Sequence, residues 1–120
     1  LSLFTFTHPA ILEALIEAKK RGVFVEVALD FYAAKGASTK ALALLQENKI
    51  PVYVSQGGKL LHHKLCVIDQ KTLLLGSANW TKSAFEKNED CVITLYELTK
   101  EQINLFDKIW KDIKLNSTLK

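Results

Sequence analysis

Apolar positions along the chain alternate in some stretches and recur at helical spacing in others. Leu1–Thr7 alternates apolar and hydroxyl side chains, which predicts a strand. Apolar residues then recur at helical spacing over residues 11–18, and we expect this helix to be capped by Thr7 and to end at Gly22. Val23–Leu29 predicts a second strand. A strand, a helix and a strand in this order form a βαβ unit, so the sheet is expected to begin with parallel strands.

The rest of the chain continues the same mixture of elements. Phe31–Lys40 contains Gly and Ser residues and predicts a loop, and the tail from Asn116 is expected to fray. The chain therefore predicts an α/β fold, a single domain over residues 1–120 with a mixed, largely parallel β-sheet flanked by helices on both faces. The other expected elements are a helix over Thr39–Glu47, strands over Ile50–Ser55, Lys64–Asp69, Thr72–Leu75 and Cys91–Leu95, a short helix between Asn79 and Lys87, and a last helix opened by a capping box at Thr99 and Gln102.

The composition is that of an ordinary globular chain. Its 120 residues, 48% of them hydrophobic and 24% charged, suffice for one core but not for two. No apolar run approaches the roughly 20 residues of a membrane-spanning helix. The chain has no methionine and opens with Leu1 inside an expected strand, so we expect the natural N-terminus to be missing. A signal peptide or a membrane anchor could have been lost with it, which leaves the localisation open.

Charge and cysteine content only slightly reduce the number of possible partners and sites. A net charge of +3 weakly favours an anionic partner and does not separate nucleic acid from a membrane surface. Cys66 and Cys91 both lie in apolar, strand-like runs, so we expect two buried free thiols. No cluster of His and Cys has the spacing of zinc ligands, and we expect no metal site.

The stretch from His62 to Asn79 combines residue types and spacing that suggest a reaction. It reads His-x-Lys, four residues, Asp, six residues, Gly-Ser-x-Asn. Strand alternation points the side chains of His62 and Lys64 at one face, and a hairpin after the strand brings Ser77 and Asn79 back toward its start. An imidazole, a cation and two neutral hydrogen-bonding groups around one point suit the binding and attack of a phosphate ester. Gly76 is expected where a side chain would obstruct the backbone.

These residues resemble the HKD signature of the phospholipase D superfamily, in particular its small single-motif nucleases. The order of elements and the Asn79-Trp80-Thr81 continuation are also similar to that group. The resemblance implies a phosphodiesterase that needs no metal or other cofactor, in which His62 attacks phosphorus and forms a phosphohistidine. It also implies that Lys64, Ser77 and Asn79 bind the phosphate and stabilise the transition state.

Two carboxylates complete the set of catalytic candidates that the resemblance implies. Asp69 is the aspartate of the signature, but its strand parity is opposite to that of His62, so we expect a structural role at the end of the strand. Relatives carry a histidine-orienting glutamate in an Asn-x-Glu pattern, and the matching position here is Asp90, one methylene shorter. Glu89 could orient His62 instead only if the strand shifts by one residue. We prefer Asp90.

A single His-x-Lys motif implies two copies of the chain. Cleavage through a covalent intermediate needs a nucleophile and also an acid for the leaving alkoxide, on opposite sides of phosphorus. Larger relatives carry two motifs in one chain, and this chain has room for one. We therefore expect a homodimer with a shared active site, in which one His62 attacks and the other protonates the leaving group.

The substrate stays open at this point. The leading hypothesis is a non-specific endonuclease acting on DNA or RNA, and the alternative is a phospholipase D that hydrolyses a phospholipid such as cardiolipin or phosphatidylcholine. The expected walls of the groove, Phe31–Ser38 and Gln56–Leu61, combine lysines with aromatic and aliphatic side chains and suit either partner. A phosphate-binding module without activity is the third hypothesis, and the complete set of motif side chains argues against it.

Overall fold

The computed structural model describes residues 1–120. Its strands form one seven-stranded sheet. The strands are β1 (Ser2–Leu3), β2 (Val27–Leu29), β3 (Val52–Ser55), β4 (Lys64–Ile68), β5 (Thr72–Gly76), β6 (Val92–Leu95) and β7 (Ser117–Leu119). Their order across the sheet is β6-β5-β4-β1-β2-β3-β7. The β4–β5 hairpin, which carries the motif, thus lies beside β1 in the interior of the sheet.

Helices cover both faces of this sheet. They are α1 (Pro9–Lys20), α2 (Phe31–Lys35), α3 (Thr39–Glu47), α4 (Lys82–Glu86) and α5 (Lys100–Leu115). The main core lies under α1 and α3, where Phe6, Leu29 and Leu45 are fully buried. On the opposite face, α5 packs through Ile113 against Ala28. The prediction of an α/β domain with a mixed sheet between helices is confirmed, and no helix is long and apolar enough to cross a membrane.

The expectation of a largely parallel sheet is wrong. Only β1–β2 and β2–β3 pair in parallel, each pair joined through helices as the βαβ pattern predicted. The other four pairings are antiparallel: β1–β4, β3–β7, β4–β5 and β5–β6. The reason is that the second half of the chain is built from hairpin-like neighbours, and β4 returns beside β1 in the opposite direction.

Two boundaries near the N-terminus also differ from the prediction. β1 ends at Leu3 instead of Thr7, and α1 begins at Pro9 with His8 as its N-cap residue. Thr7 does not cap the helix: it lies one residue before the N-cap, no side chain caps the first turn, and the backbone N–H of Thr7 donates to the carbonyl of Trp80 at 2.9 Å. α1 ends at Lys20, and Gly22 lies just past its end as expected, with a φ of +91° that a side chain would disfavour.

Three further expectations are corrected. Part of the predicted loop over residues 31–40 is helical (α2), because the buried Asp30 carboxylate accepts hydrogen bonds from the backbone N–H groups of Tyr32 and Ala33. The tail does not fray, since β7 pairs with β3. Cys91 is an exposed free thiol, whereas Cys66 is buried as predicted. The capping box of α5 and the β4–β5 hairpin are confirmed.

Candidate active site

The two halves of the motif meet at one end of the sheet. β4 pairs with β5 in a register that places Leu65 opposite Leu75, and this register continued outward brings His63 opposite Ser77. On the other side of β4, Leu3 of β1 lies opposite Lys64. The start of β4, the end of β5 and the segment after β1 therefore surround one point, as the predicted hairpin required.

His62 and Lys64 are in direct contact at this point. The Lys64 Nζ lies 3.2 Å from Nδ1 and 3.3 Å from Nε2 of the His62 ring, and it donates to the His62 carbonyl at 3.2 Å. Lys64 is buried and the His62 side chain is exposed. The same strand face thus presents an accessible imidazole directly above a buried cation.

Phe4 supports both side chains from the neighbouring strand segment. Its ring centroid lies 4.9 Å from that of His62, and the Lys64 Nζ lies 5.7 Å from the Phe4 centroid. The aromatic face is attractive to the ammonium group and fills the space beneath the imidazole. The motif pattern contains no signal for this residue, which belongs to a different part of the chain.

The buried position of Lys64 changes its titration. Burial lowers the pKa of the Lys64 ammonium below its ordinary value of 10.5, and the negative charge of Asp90 partly offsets this by raising it. An ammonium group with little water around it gains more from a bound phosphate oxygen than a solvated one does. Lys64 is therefore well placed to hold an anionic oxygen beside the His62 ring.

Asp90 joins the site through Ser77. The Ser77 hydroxyl donates to Oδ1 of Asp90 at 2.7 Å and accepts from the backbone N–H of Cys91 at 3.1 Å. The expected hydrogen bond from His62 to Asp90 is not formed, because the carboxylate is directed at the serine. β6 begins in register with Val92 opposite Gly76, so the shift that would bring Glu89 into this place does not occur.

Asn79 is oriented by the segment that follows β1. The backbone N–H of Thr5 donates to the Asn79 Oδ1 at 3.3 Å. Since the amide oxygen is occupied, the two N–H donors of the Asn79 Nδ2 remain for a ligand. Asn79 thus presents neutral hydrogen-bond donors, as the motif predicted, and depends on Thr5 for its orientation.

Asp69 does not lie in the site, which corrects its grouping with the catalytic residues. It follows the last residue of β4 and lies in the exposed turn that leads to β5, with a φ of 54°. Asp69 lies five positions after Lys64 along an extended strand, a distance of about 16 Å. Its place is consistent with the expected structural role, because aspartate tolerates the left-handed backbone conformation of a tight turn.

Gly76 is required by the close approach of β6. A Cβ atom at this position would overlap the carbonyl oxygen of Cys91 and would lie 2.8 Å from the Cα of Val92. The contact is with backbone atoms, which cannot move aside as a side chain would. Gly76 therefore allows the strand that follows Asp90 to reach its position beside Ser77.

Asp30 is a structural support of the site that the motif did not reveal. Its carboxylate is fully buried, and Oδ2 accepts from the backbone N–H of Leu61 at 3.0 Å, while Oδ1 caps α2. The bond fixes the residue immediately before His62. A carboxylate directly after the buried parallel strand β2 was the sequence signal, since polar groups at such strand ends commonly line sites.

His63 lies on the opposite face of β4 from His62. Its Nδ1 is 3.3 Å from the Ser2 hydroxyl. Burial, and then the nearby Lys64 and His62, lower the pKa of the His63 imidazole below its ordinary value of 6.5. A hollow of about 680 Å³ adjoins His63 on this face and is lined in part by Lys59, Leu60 and Asp112.

Two further observations describe the surroundings. Nowhere in the chain do three or more His, Cys, Asp or Glu side chains converge in a way that could hold a metal ion. A second hollow, of about 460 Å³ and mainly apolar, is lined in part by Phe24, Ile68 and Phe106. Ile68 is the last residue of β4, so this apolar hollow lies at the end of the sheet away from His62.

Comparison with known proteins yields consistent matches. The family model described as cardiolipin synthase, PLD-like domain, matches residues 1–110. Mitochondrial cardiolipin hydrolase of Mus musculus is 32% identical over 116 residues, which cover 93% of this chain and 51% of the relative. Phospholipase D of Rickettsia bellii is 38% identical over 85 residues, which cover 71% of this chain and 42% of the relative. The chain thus spans about half the length of the curated relatives that it matches.

Solved structures show the same arrangement. Nuc from Salmonella typhimurium, a phospholipase D family member, superposes with a TM-score of 0.92 at 29% identity, over 99% of this chain and 78% of that chain. NucT from Helicobacter pylori superposes with a TM-score of 0.84 at 24% identity, over 98% of this chain and 78% of that chain, which is a likeness of fold alone.

Proposed function

The chain belongs to the phospholipase D superfamily, and from that premise we propose that it hydrolyses phosphodiester bonds without a metal ion, with His62 as the nucleophile. The observation that carries the proposal is the contact between the exposed His62 ring and the buried Lys64 ammonium, at 3.2 Å. The attacking group and the charge that neutralises the developing oxyanion are thereby held together before substrate arrives.

In the first step a ring nitrogen of His62 attacks phosphorus. An N–P bond forms, the P–O bond to the leaving group breaks, and the leaving alkoxide takes a proton from a general acid on the opposite side of phosphorus. Lys64 and the Asn79 Nδ2 donate to the non-bridging oxygens, which carry the developing charge. Ser77 acts through its bond to Asp90, which holds that carboxylate near Lys64.

In the second step water attacks the phosphohistidine. A general base removes the proton from the water, the N–P bond breaks, and His62 returns to its neutral form. The group that acted as acid in the first step has become unprotonated and can serve as this base. The cycle therefore balances with one nucleophile and one acid–base group, and no redox or metal chemistry is needed.

The acid–base group is proposed to be the partner's His62, in a homodimer with a shared active site. The contacts of His62 within the chain are with Lys64 and Phe4, and neither can donate and recover a proton as an imidazole does near neutral pH. A two-fold axis beside the site would supply a second imidazole without any other residue.

Nucleic acid is the proposed substrate, cleaved with little sequence preference. Three features support a long, anionic ligand: the His62 ring is exposed, the chain carries a net charge of +3, and the apolar hollow lies at the other end of the sheet. The second candidate is a phospholipid, because curated relatives are named cardiolipin hydrolase and phospholipase D. Tyr32 and Leu60, each 58% exposed on the neighbouring segments, would suit a lipid surface.

Incubation with single-stranded DNA, duplex DNA, RNA and cardiolipin vesicles, each with EDTA or with added Mg²⁺, tests this function. We expect cleavage of nucleic acid at the same rate in EDTA and in Mg²⁺, because lysine and amide donors carry out the charge stabilisation. Cleavage of the vesicles alone would replace the nuclease by the lipid-hydrolase candidate. Loss of all activity in EDTA, with recovery on addition of metal, would contradict the mechanism.

A further inference from the structure

The hollow beside His63 lies next to the site, and the proposed mechanism does not use it. Its volume of about 680 Å³ is within the usual range of pockets for small ligands. It lies between the loop of residues 56–60 and the C-terminal end of α5. His63, which lines it, directly follows His62, and both residues precede the first residue of β4. The hollow and the reacting imidazole thus lie on two sides of the chain at the same end of the sheet.

Contacts with α2 hold the loop wall of this hollow in place. The Tyr32 hydroxyl donates to the carbonyl of Gly57 at 3.3 Å. The Ser55 hydroxyl, at the start of the loop, accepts from the backbone N–H of Phe31 at 2.9 Å. Since these bonds are already formed in the free protein, a ligand would not have to order the loop when it binds. The hollow is therefore a preformed cavity, as ligand pockets usually are.

The polar groups at the α5 end of the hollow are available to a ligand. The Ser117 hydroxyl lines the hollow, and it is buried without a hydrogen-bond partner. A buried polar group without a partner costs free energy, so a ligand that bonds to it gains correspondingly. The Asp112 carboxylate belongs to none of the three ion pairs of the chain. The Asn116 amide nitrogen donates to the backbone carbonyl of Asp112 at 2.8 Å, which leaves its amide oxygen as a free acceptor.

These groups suit the polar edge of a nucleobase. A carboxylate only accepts hydrogen bonds, so Asp112 requires a ligand with N–H donors, while the Ser117 hydroxyl can donate or accept. Ile113 and Leu60 add apolar lining for the faces of a flat ring. The negative charge of Asp112 disfavours a phosphate in the hollow itself. An alkylammonium head group is also disfavoured, because no Phe, Tyr or Trp lines the hollow and Lys59 adds a positive charge to it.

We propose that this hollow holds one base of the substrate strand, close to the phosphate that His62 attacks. The inference rests on the proposed function, because the strand bound at His62 is the source of the base. Guanine presents two neighbouring N–H donors on one edge, and a carboxylate can accept both at once. Guanine is therefore expected to be favoured several-fold at this one position through Asp112. The other positions of the strand stay unread, so the overall sequence preference remains small.

Two measurements test the base site. The first is the Kd of the four nucleoside monophosphates GMP, AMP, CMP and UMP, with GMP expected to bind most tightly. The second is sequencing of the cuts made in a random-sequence single strand, with guanine expected to be enriched at one fixed position near the cut. Asp112→Asn should weaken GMP binding about tenfold and remove the enrichment. Asp107→Asn is the matched control, because Asp107 lies on the same helix at the other hollow.

Ser117→Ala adds a readout that a purely structural role would not give. Removal of the unpartnered hydroxyl should raise Tm, and it should also weaken GMP binding about three- to tenfold. Thr118→Ala, at the next and exposed residue of β7, should change neither quantity. A higher Tm of Ser117→Ala with an unchanged Kd for GMP would contradict the base site.

The outcomes separate this inference from the proposed function. Cleavage of nucleic acid with a flat cut profile and no binding of GMP would refute the base site and leave the phosphodiesterase standing. Binding of GMP that Asp112→Asn weakens, with no nucleic acid cleaved, would refute the proposed function and leave a site for a free nucleotide. Binding of GMP with a flat profile would overturn the placement of the substrate strand. Binding of phosphoethanolamine in place of GMP would overturn the base site in favour of a lipid head group.

Discussion

Replacing His62 with alanine is expected to lower kcat by about 10⁴- to 10⁶-fold, because no other group in the site can form the N–P bond. Substrate binding should change much less than kcat, since in the proposed mechanism the phosphate is held by Lys64 and by the Nδ2 of Asn79, and Lys64 keeps its bond to the His62 backbone carbonyl in this variant. Lys64 is anchored by burial against Phe4, and Asn79 by its bond from Thr5. Steady-state hydrolysis and the Kd for a labelled oligonucleotide would be measured on the same preparation.

His63→Ala is the matched control for this variant. It removes an identical side chain one residue further along, on the opposite face of β4, where the ring contacts Ser2. We expect its kcat to stay within an order of magnitude of wild type. Equal losses in the two variants would mean that His62 contributes only to folding or surface charge. Residual turnover of His62→Ala near the wild-type rate would rule out His62 as the nucleophile.

Replacing Lys64 with methionine is expected to lower kcat by about 10²- to 10³-fold, the usual loss when one donor to a developing oxyanion is removed. Methionine keeps most of the side-chain length and apolar volume, so the packing against Phe4 is largely retained. Lys59→Met provides the control, because Lys59 lies on the adjoining loop and is exposed. A loss in Lys59→Met as large as that in Lys64→Met would show that general positive charge, and not the buried ammonium, drives the reaction.

The pH dependence of the same group gives a second, independent readout. Lys64 must be protonated to neutralise phosphate, and burial lowers its pKa, so kcat/KM should fall on the alkaline side at a pH below 10.5. Asp90 raises the pKa of Lys64, so Asp90→Asn should move this alkaline limb to still lower pH. An alkaline limb that does not move in Asp90→Asn would contradict the assignment of the limb to Lys64.

The local part of the site was predictable from the sequence because it is a hairpin. Strand alternation places His62 and Lys64 on one face, and a short turn after β4 returns the chain beside its own start. Such neighbours are close in sequence, so no long-range pairing has to be known. The observed register of Leu65 opposite Leu75 confirmed this geometry.

The supports of the site come from distant segments and could not be predicted. Phe4 and Thr5 reach His62 and Asn79 because β1 pairs antiparallel with β4, a pairing that no local pattern specifies. The same pairing makes the sheet mainly antiparallel, where the βαβ pattern alone suggested the reverse. Asp30 is recognisable in the sequence as a charged residue at the end of a predicted strand. Its bond from the Leu61 N–H joins residues 31 positions apart, and no local pattern predicts that contact.

Asp90 illustrates a further limit. The resemblance to the superfamily implied that this carboxylate lies near the motif, and in the structure Asp90 accepts a hydrogen bond from Ser77. Which partner it takes depends on angstrom-scale positions of β5 and β6, which Gly76 permits by leaving room for the backbone of Cys91. Sequence patterns identify the residues that meet at a site more readily than the hydrogen bonds that they form there.

Trapping the covalent intermediate tests the central claim most directly. A substrate labelled at the scissile phosphate would be mixed rapidly with the enzyme, quenched under alkaline denaturing conditions that preserve phosphohistidine, and the labelled peptide would be identified by mass spectrometry. The account predicts label on the peptide that contains His62, at up to one phosphate per dimer, and no label in His62→Ala. Turnover without labelled protein at any time, or label on another residue, would contradict it.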